Sequence, residues 1–238
     1  MNFKFTFIGV VLPERAQLSF GFEVKLNFIE GGTGEFKCSI VNNQLLAIFE
    51  LHHEEDVMTL RNIAHNIILS NLSLLGFYSG IFYDVKIDRI YNDDLTTNYV
   101  YGVANTDIQN FWGELDVSEM ISRFRPKTAG HPGVLLNRAL NDFMSALKNI
   151  DDAAFFCYRA IESLRNHNSL LQNCLDKSDS AQWLSFREKT NCSREEIDEV
   201  KIYADDLRHG KPVAVTAEEV KHILITTWEI ARKYFEKI

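Results

Sequence analysis

Residues 20–28 read FGFEVKLNF, and this stretch decides the fold class of the first half of the chain. Its apolar side chains occupy every second position, which is the period of a β-strand with one buried face and one face in water. Residues 3–7 alternate in the same way, with three phenylalanines separated by Lys4 and Thr6. The alternation predicts antiparallel strands on one side of a core.

The segments that follow extend this sheet and add a helix. Glycines at 31, 32 and 34 are typical of a hairpin turn, and the alternation resumes on either side of Asn42 and Asn43, so we expect a four-strand meander. From Asp56 to Gly76 the apolar residues recur at helical spacing, which predicts one long helix that covers the sheet. Two further strand-like segments follow at 81–91 and 97–104.

The second half of the sequence is helical throughout. The stretch RFRPKTAGHPG, residues 123–133, interrupts every periodic pattern and predicts a boundary between a strand-rich α+β domain, 1–125, and an all-α antiparallel bundle of about five helices, 133–238. Ser193-x-x-Glu196 and Thr216-x-x-Glu219 are capping boxes that each open a helix. The fold class is therefore α+β, with a mostly antiparallel sheet and one covering helix followed by the helical bundle.

Composition and charge narrow the classes of function. The net charge of −8 argues against a protein that coats nucleic acid through an overall positive field. Residues 1–131 hold 10 Lys and Arg against 16 Asp and Glu, whereas 132–238 hold 15 against 17, so a polyanion site fits the second half better. The four cysteines are far apart and no apolar run is long enough to span a bilayer, which together predict reduced thiols, a cytoplasmic protein and no membrane partner.

Two segments of the second half resemble the HEPN-like helical domains of prokaryotic proteins. They are FCYRAIESL, residues 156–164, and YADDLRHG, residues 203–210, which precedes a turn and a capped final helix. Many members of that group are metal-independent ribonucleases or RNA-binding parts of toxin–antitoxin and phage-defence systems, and they usually act as dimers. The resemblance implies a homodimer that binds RNA and needs no cofactor.

The resemblance also implies site residues. Catalytic members carry an Arg and a His separated by several residues, whereas here Arg208 and His209 are adjacent; these two are the predicted catalytic pair. Independently of the resemblance, Arg159, Glu162 and Arg165 lie on one stripe of a helix at i, i+3 and i+6, which predicts that the two arginines hold an RNA phosphate between them; Lys211 is the third predicted RNA contact. The same residues have structural interpretations: Arg208-His209-Gly210 also fits the C-terminal stop of a helix, and Arg159 and Arg165 also fit a surface ion-pair ladder.

Other chemistries find little support in the sequence. Residues 52–56 read HHEED, but consecutive residues cannot all turn toward one metal, so an acidic helix N-terminus is the better interpretation and no metal site is predicted. The glycines at 31, 32 and 34 are not followed by a helix, which argues against a phosphate-binding loop. No nucleophile-elbow motif is present.

Three hypotheses of function follow. In the first, the N-terminal part recognises a partner or ligand while the HEPN-like bundle binds RNA and, in its enzymatic form, cleaves it. In the second, the bundle is a non-catalytic protein-interaction module or a subunit of a defence complex, and the acidic N-terminal half contacts the protein partner. In the third, the protein is an enzyme that acts on a small metabolite in a cleft, for which no residue selects a reaction.

Overall fold

The computed structural model describes residues 3–28, 31–93, 98–100, 108, 117–211 and 215–238. The chain forms two compact units, Met1–Val103 and Ala104–Ile238. The boundary predicted between 125 and 133 therefore falls inside the second unit, where Arg125–Thr128 is a short 3-10 helix and Pro132 lies in the first turn of a long helix. A proline fits the first turn of a helix, because its φ is preset and the N–H that it lacks is not needed there. Pro126 and Pro132 therefore mark the starts of these two helices.

The first unit is built on an antiparallel sheet. Its strands are β1 Phe3–Leu12, β2 Phe20–Asn27, β3 Thr33–Val41, β4 Gln44–Leu51, β5 Asp84–Asn92 and β6 Asn98–Val100, in the order β2-β3-β4-β1-β5-β6. The predicted meander is correct for β2, β3 and β4 but wrong for β1, which pairs with β4 and β5. Phe7 on β1 is buried in the core whereas Ile8 on the opposite face is exposed, so the alternation of β1 identifies its buried face and not its neighbours. Of the predicted strand at 97–104, residues 97 and 101–104 lie outside the described residues.

A single described helix of this unit, α1 Val57–Ser79, packs on the sheet as predicted. The Asp56 carboxylate caps it by accepting a hydrogen bond from the Thr59 N–H (2.8 Å), and Gly80 ends it with a φ of 69°. The buried side chains of α1 join the sheet residues Phe7, Phe36 and Phe49 in one core. Asp56 thus forms the predicted helix N-terminus as its cap, whereas residues 52–55 precede the helix.

The second unit is helical. The helices with both ends described are α2 Val117–Phe124, α3 Gly130–Lys148, α4 Ala153–Leu171, α5 Asp179–Thr190, α6 Arg194–Arg208 and α7 Ala217–Phe235. Helix α4 is central and contacts α3, α5, α6 and α7. Both predicted capping boxes are present, so Ser193 with Glu196 opens α6 and Thr216 with Glu219 opens α7. The α+β class is confirmed.

Candidate functional site

A polar cleft of about 260 Å³ opens between three helices of the second unit. We call it the α4–α5–α6 cleft. It is lined by Tyr158, Asp179, Ser180, Trp183, Arg187, Arg194, Ile197, Asp198 and Lys201.

Helical periodicity brings these side chains together. On α5, Trp183 and Arg187 are four residues apart, and on α6, Arg194 and Lys201 are seven residues apart, so each pair lies on one face of its helix. The orientation of α5 is set by Ser178, which caps its first turn, and by Gln182, whose amide donates to the carbonyls of Leu175 and Lys177 (both 3.0 Å). The cleft walls are therefore fixed by regular helices and a hydrogen-bonded loop.

One wall of the cleft is aromatic. The rings of Tyr158 and Trp183 are nearly parallel, with an interplanar angle of 21° and centroids 6.3 Å apart. The guanidinium of Arg165 lies over the Trp183 ring at 4.7 Å. Burial, with a smaller contribution from Glu162, raises the pKa of Tyr158 to about 12, so its hydroxyl remains a proton donor at neutral pH.

Three donors at the cleft have no partner within the part of the chain that the structure describes. The side chains of Arg187 and Lys201 make no hydrogen bond or ion pair there, and the Tyr158 hydroxyl makes no hydrogen bond. Arg194, in contrast, is paired with Asp198 (3.1 Å). Two cations and a hydroxyl thus face the same space and are available to an anionic ligand.

Glu162 lies beside this cleft on α4. Its pKa is raised chiefly by burial, while Arg165, Arg208 and Lys201 act in the opposite direction and Asp179 raises it further. Two of the predicted site residues, Arg165 and Arg208, therefore act electrostatically on the same carboxyl group. The cations around Glu162 come from different helices, which sequence spacing alone does not reveal.

The predicted catalytic pair forms the end of α6. Gly210 has a φ of 69°; its N–H donates to the Leu207 carbonyl (3.0 Å), and the N–H of Lys211 donates to the Asp206 carbonyl (3.1 Å). These two bonds are those of a Schellman motif, so the interpretation of residues 208–210 as a helix stop is confirmed. Arg208 and His209 are both exposed there. A catalytic role for the pair stays a prediction.

The other predicted RNA contacts are engaged with carboxylates. Arg159 binds the buried Asp142 on α3, Arg165 binds Asp179 at the start of α5, and the Lys211 Nζ lies 2.7 Å from Asp206 Oδ1. Arg159 is thus paired with a residue of α3 and Arg165 with a residue of α5, so the two guanidinium groups do not hold one RNA phosphate between them. Arg165 stays next to the cleft through Trp183, whereas Arg159 does not line it.

Sequence reasoning missed Trp183, Arg187 and Lys201. The sequence places Trp183 and Arg187 four residues apart on α5, and Lys201 seven residues after Arg194 on α6, so each pair shares a helix face. Many solvent-exposed helices have the same pattern of polar and aromatic residues. Only the packing of α5 and α6 around α4 distinguishes this face from an ordinary solvated one.

A second concave surface of this unit is apolar. We call it the α2–α3–α7 groove; it has a volume of about 770 Å³. Its floor and walls are apolar side chains, whereas Glu119, Arg123, Arg125 and Glu236 carry charge. The apolar residues are Met120, Ile121, Phe124, Leu136, Leu140, Phe143, Met144, Trp228, Ala231 and Phe235.

Metal, thiol and membrane chemistry find no counterpart in the described residues. No group of three or more His, Cys, Asp or Glu there could hold a metal ion. The cysteines are free and buried, and burial raises the pKa of both Cys38 and Cys157 to about 12, so these two thiols are poor nucleophiles. Among the described helices, none has the length and hydropathy to cross a membrane.

Comparison with models of protein families gives one match in each half of the chain. Residues 5–101 match the model described as "Domain of unknown function (DUF8168) N-terminal domain", and residues 121–238 match "Domain of unknown function (DUF8168) C-terminal domain". The chain is thus similar to both domains, in chain order. Comparisons with curated proteins and with solved structures gave no match. Neither description names a HEPN domain, so that resemblance stays a prediction.

Proposed function

We propose that the second unit binds single-stranded RNA in the α4–α5–α6 cleft. The observation that carries the proposal is the set of unpartnered donors, Arg187, Lys201 and the Tyr158 hydroxyl, beside an aromatic wall. Single-stranded nucleic acids are bound by this combination, because cations contact the phosphates while bases pack on aromatic or guanidinium planes.

The preference for RNA over DNA rests on the HEPN-like segments of α4 and α6. The same resemblance underlies the proposed setting, a cytoplasmic prokaryotic protein of a defence or toxin–antitoxin system. The charge of the chain is compatible with a small, local site, since the excess of acidic residues is concentrated before residue 132. Affinity is expected to be modest and to fall with salt, because few cations contact phosphate.

A direct test is the binding of a fluorescently labelled 12-nucleotide RNA, followed by anisotropy at several salt concentrations. The double variant Arg187→Ala with Lys201→Ala should weaken binding at least about tenfold and reduce the salt slope by about 1.4, since each phosphate contact on a single strand contributes about 0.7. The matched control is Arg138→Ala with Lys148→Ala, which removes the same charges from exposed positions on α3. Equal affinity of the two double variants would refute the cleft as the RNA site.

If the protein is an enzyme, the reaction that we propose is cleavage of the bound RNA. The same labelled RNA, incubated with and without EDTA, is expected to be cut in both conditions if Arg208 and His209 act on the phosphodiester without a metal. Arg208→Ala and His209→Ala should then both abolish cleavage. Tight binding without cleavage would leave an RNA-binding module that is not an enzyme.

A second function, the docking of a protein partner, is favoured by the α2–α3–α7 groove. Successive turns of α3 line it, with Leu136 and Phe143 buried in its floor and Leu140 and Met144 exposed, which suits the apolar face of an amphipathic helix. The charged lining residues are two arginines, Arg123 and Arg125, and two glutamates, so the groove matches a partner helix that carries both signs of charge beside its apolar face.

This function is tested with Leu140→Glu, which places a charge in the groove wall. The wild-type and variant proteins are used to purify partners from the native host, and a peptide that spans the amphipathic helix of any candidate is then titrated. We expect the peptide to bind the wild type and to bind the variant at least about tenfold more weakly, because a carboxylate would be buried against apolar residues. A peptide that binds both proteins equally does not occupy the groove.

A further inference from the structure

The first unit has an open sheet edge. Among the described residues, β2 has one strand neighbour, β3, and its register with β3 is continuous from Phe20 to Asn27. Natural edge strands are commonly shortened, bulged or interrupted by proline, because their unpaired backbone groups recruit other strands. Over these eight residues β2 has neither a bulge nor a proline.

Two hydrogen bonds fix which backbone groups of β2 point outward. The Phe28 N–H donates to the Gly32 carbonyl on the β3 side (3.0 Å), and the His52 N–H donates to the Thr33 carbonyl (3.2 Å). Because bonded and non-bonded pairs alternate in an antiparallel ladder, the even-numbered residues of β3 bond β2 and its odd-numbered residues bond β4. The outward N–H and C=O groups on β2 therefore belong to its odd-numbered residues, Gly21, Glu23, Lys25 and Asn27.

We propose that two copies of this chain pair through β2, antiparallel across a two-fold axis at Val24. Only registers that place odd-numbered residues opposite each other use the outward backbone groups. Of these, the register centred on Glu23 opposes two glutamates and that centred on Lys25 opposes two lysines. The register centred on Val24 places Glu23 opposite Lys25 of the second copy, twice by symmetry.

The side chains of β2 suit this register on both faces of the sheet. Glu23 and Lys25 are exposed and lie opposite Lys37 and Glu35 of β3 without forming an ion pair within the described part of the chain, so on their outer side each can meet the opposite charge of the second copy. On the other face Phe22, Val24 and Leu26 are half-buried against the core. Pairing brings Phe22 opposite Leu26 of the second copy, which continues the apolar layer across the axis.

The pairing is independent of RNA binding, because it lies in the first unit and uses none of the cleft residues. It assigns the dimer contact to the sheet edge, whereas the HEPN-like resemblance alone would assign it to the helical half.

Sedimentation of the full chain over a range of concentrations tests the proposal. We expect the wild type to form a dimer, and we expect Glu23→Lys and Lys25→Glu each to raise the dimer dissociation constant at least about tenfold, because each creates like-charge pairs across the axis. The double variant Glu23→Lys with Lys25→Glu should lower the dissociation constant back toward the wild-type value, since it restores opposite charges across the axis, although it places like charges opposite Lys37 and Glu35 of β3 in both the monomer and the dimer. Far-ultraviolet circular dichroism checks that every variant is folded.

A cross-link fixes the register. Val24 faces Val24 of the second copy as a non-hydrogen-bonded pair, whose side chains approach closely, so Val24→Cys should form a covalent dimer on mild oxidation. Ser39→Cys, an exposed position on β3, is the control and should not. A wild-type chain that stays monomeric up to about 100 µM, a charge exchange that restores nothing, or a Val24→Cys protein that does not cross-link overturns the proposal. A monomer that binds an added strand from another protein overturns it as well.

Discussion

Arg159 on α4 and Asp142 on α3 form a two-point ion pair at the contact between these helices. The Arg159 Nε donates to Asp142 Oδ2 (3.0 Å), a second donor of the guanidinium bonds Oδ1, and the carboxylate is only 2% exposed. The guanidinium also lies over the Phe155 and Phe156 rings, at 5.0 and 5.1 Å. A buried carboxylate needs such a partner, so Arg159 serves the packing of α3 on α4.

Arg159→Ala should lower the free energy of unfolding by about 2 kcal/mol, because it leaves the Asp142 carboxylate buried without its cation. Urea denaturation measures this change, and RNA anisotropy should show unchanged affinity. In the double variant Arg159→Ala with Asp142→Asn, the loss should be smaller than the sum of the two single losses. An Arg159→Ala protein of wild-type stability and weakened RNA binding would show that the residue contacts the ligand instead.

A periodic pattern encodes some features of this fold and not others. Alternation at residues 20–28 identifies a strand and its buried face, and the spacing after Asp56 identifies α1. The pattern does not encode which strands are neighbours, because alternation records only the buried face of a strand; β1 alternates as β2, β3 and β4 do, yet it lies between β4 and β5.

The candidate site was predictable only in part for the same reason. Arg165 follows from its helical spacing with Arg159, Arg208 follows from the family-like segment on α6, and both act on Glu162. Trp183 and Lys201 lie on helices whose composition is ordinary for a surface, and their role depends on which faces of α5 and α6 meet α4. That choice is made by tertiary packing, which no local spacing records.

Gly210→Ala should destabilise the protein by about 1 kcal/mol, since an alanine is strained at a φ of 69°. An added Cβ would meet no atom of the described residues within 4 Å, so among these residues the cost comes from the backbone and not from a clash. Gly210→Asn is the control, because asparagine tolerates the left-handed conformation and should retain more of the stability. Thermal unfolding of both variants distinguishes the cases; equal loss in the two would indicate a clash or a lost loop contact.

His167 should make the protein less stable in mild acid. Its Nδ1 lies 2.6 Å from the Tyr234 hydroxyl oxygen, and burial, with a smaller effect of Lys127, lowers the pKa of the imidazole. In the unfolded chain a histidine takes up a proton near pH 6.5, whereas the folded His167 does so only at lower pH. The free energy of unfolding should therefore fall as the pH drops from about 7.5 to about 5.5.

The His167→Gln variant isolates this contribution from that of the other histidines. The difference in unfolding free energy between wild type and variant, measured in urea at each pH, should shrink as the solution becomes more acidic. A difference that is constant over this range would mean that His167 takes up its proton equally in the folded and unfolded chain.

Glu162→Gln should raise stability and RNA affinity together. The pKa of Glu162 is raised mainly by burial, so its ionised form opposes folding at neutral pH, and this unfavourable contribution disappears below about pH 4, where the unfolded glutamate is also protonated. Urea denaturation at pH 7 should therefore show a more stable variant, with the advantage lost near pH 4.

Removal of a negative charge between Arg165, Arg208 and Lys201 should also strengthen the binding of a phosphate in the cleft. Glu188→Gln, an exposed position on α5 outside the cleft lining, is the matched control for charge and should change neither quantity. If Glu162→Gln gains stability while RNA affinity stays the same, the burial argument holds and the cleft is not where RNA binds.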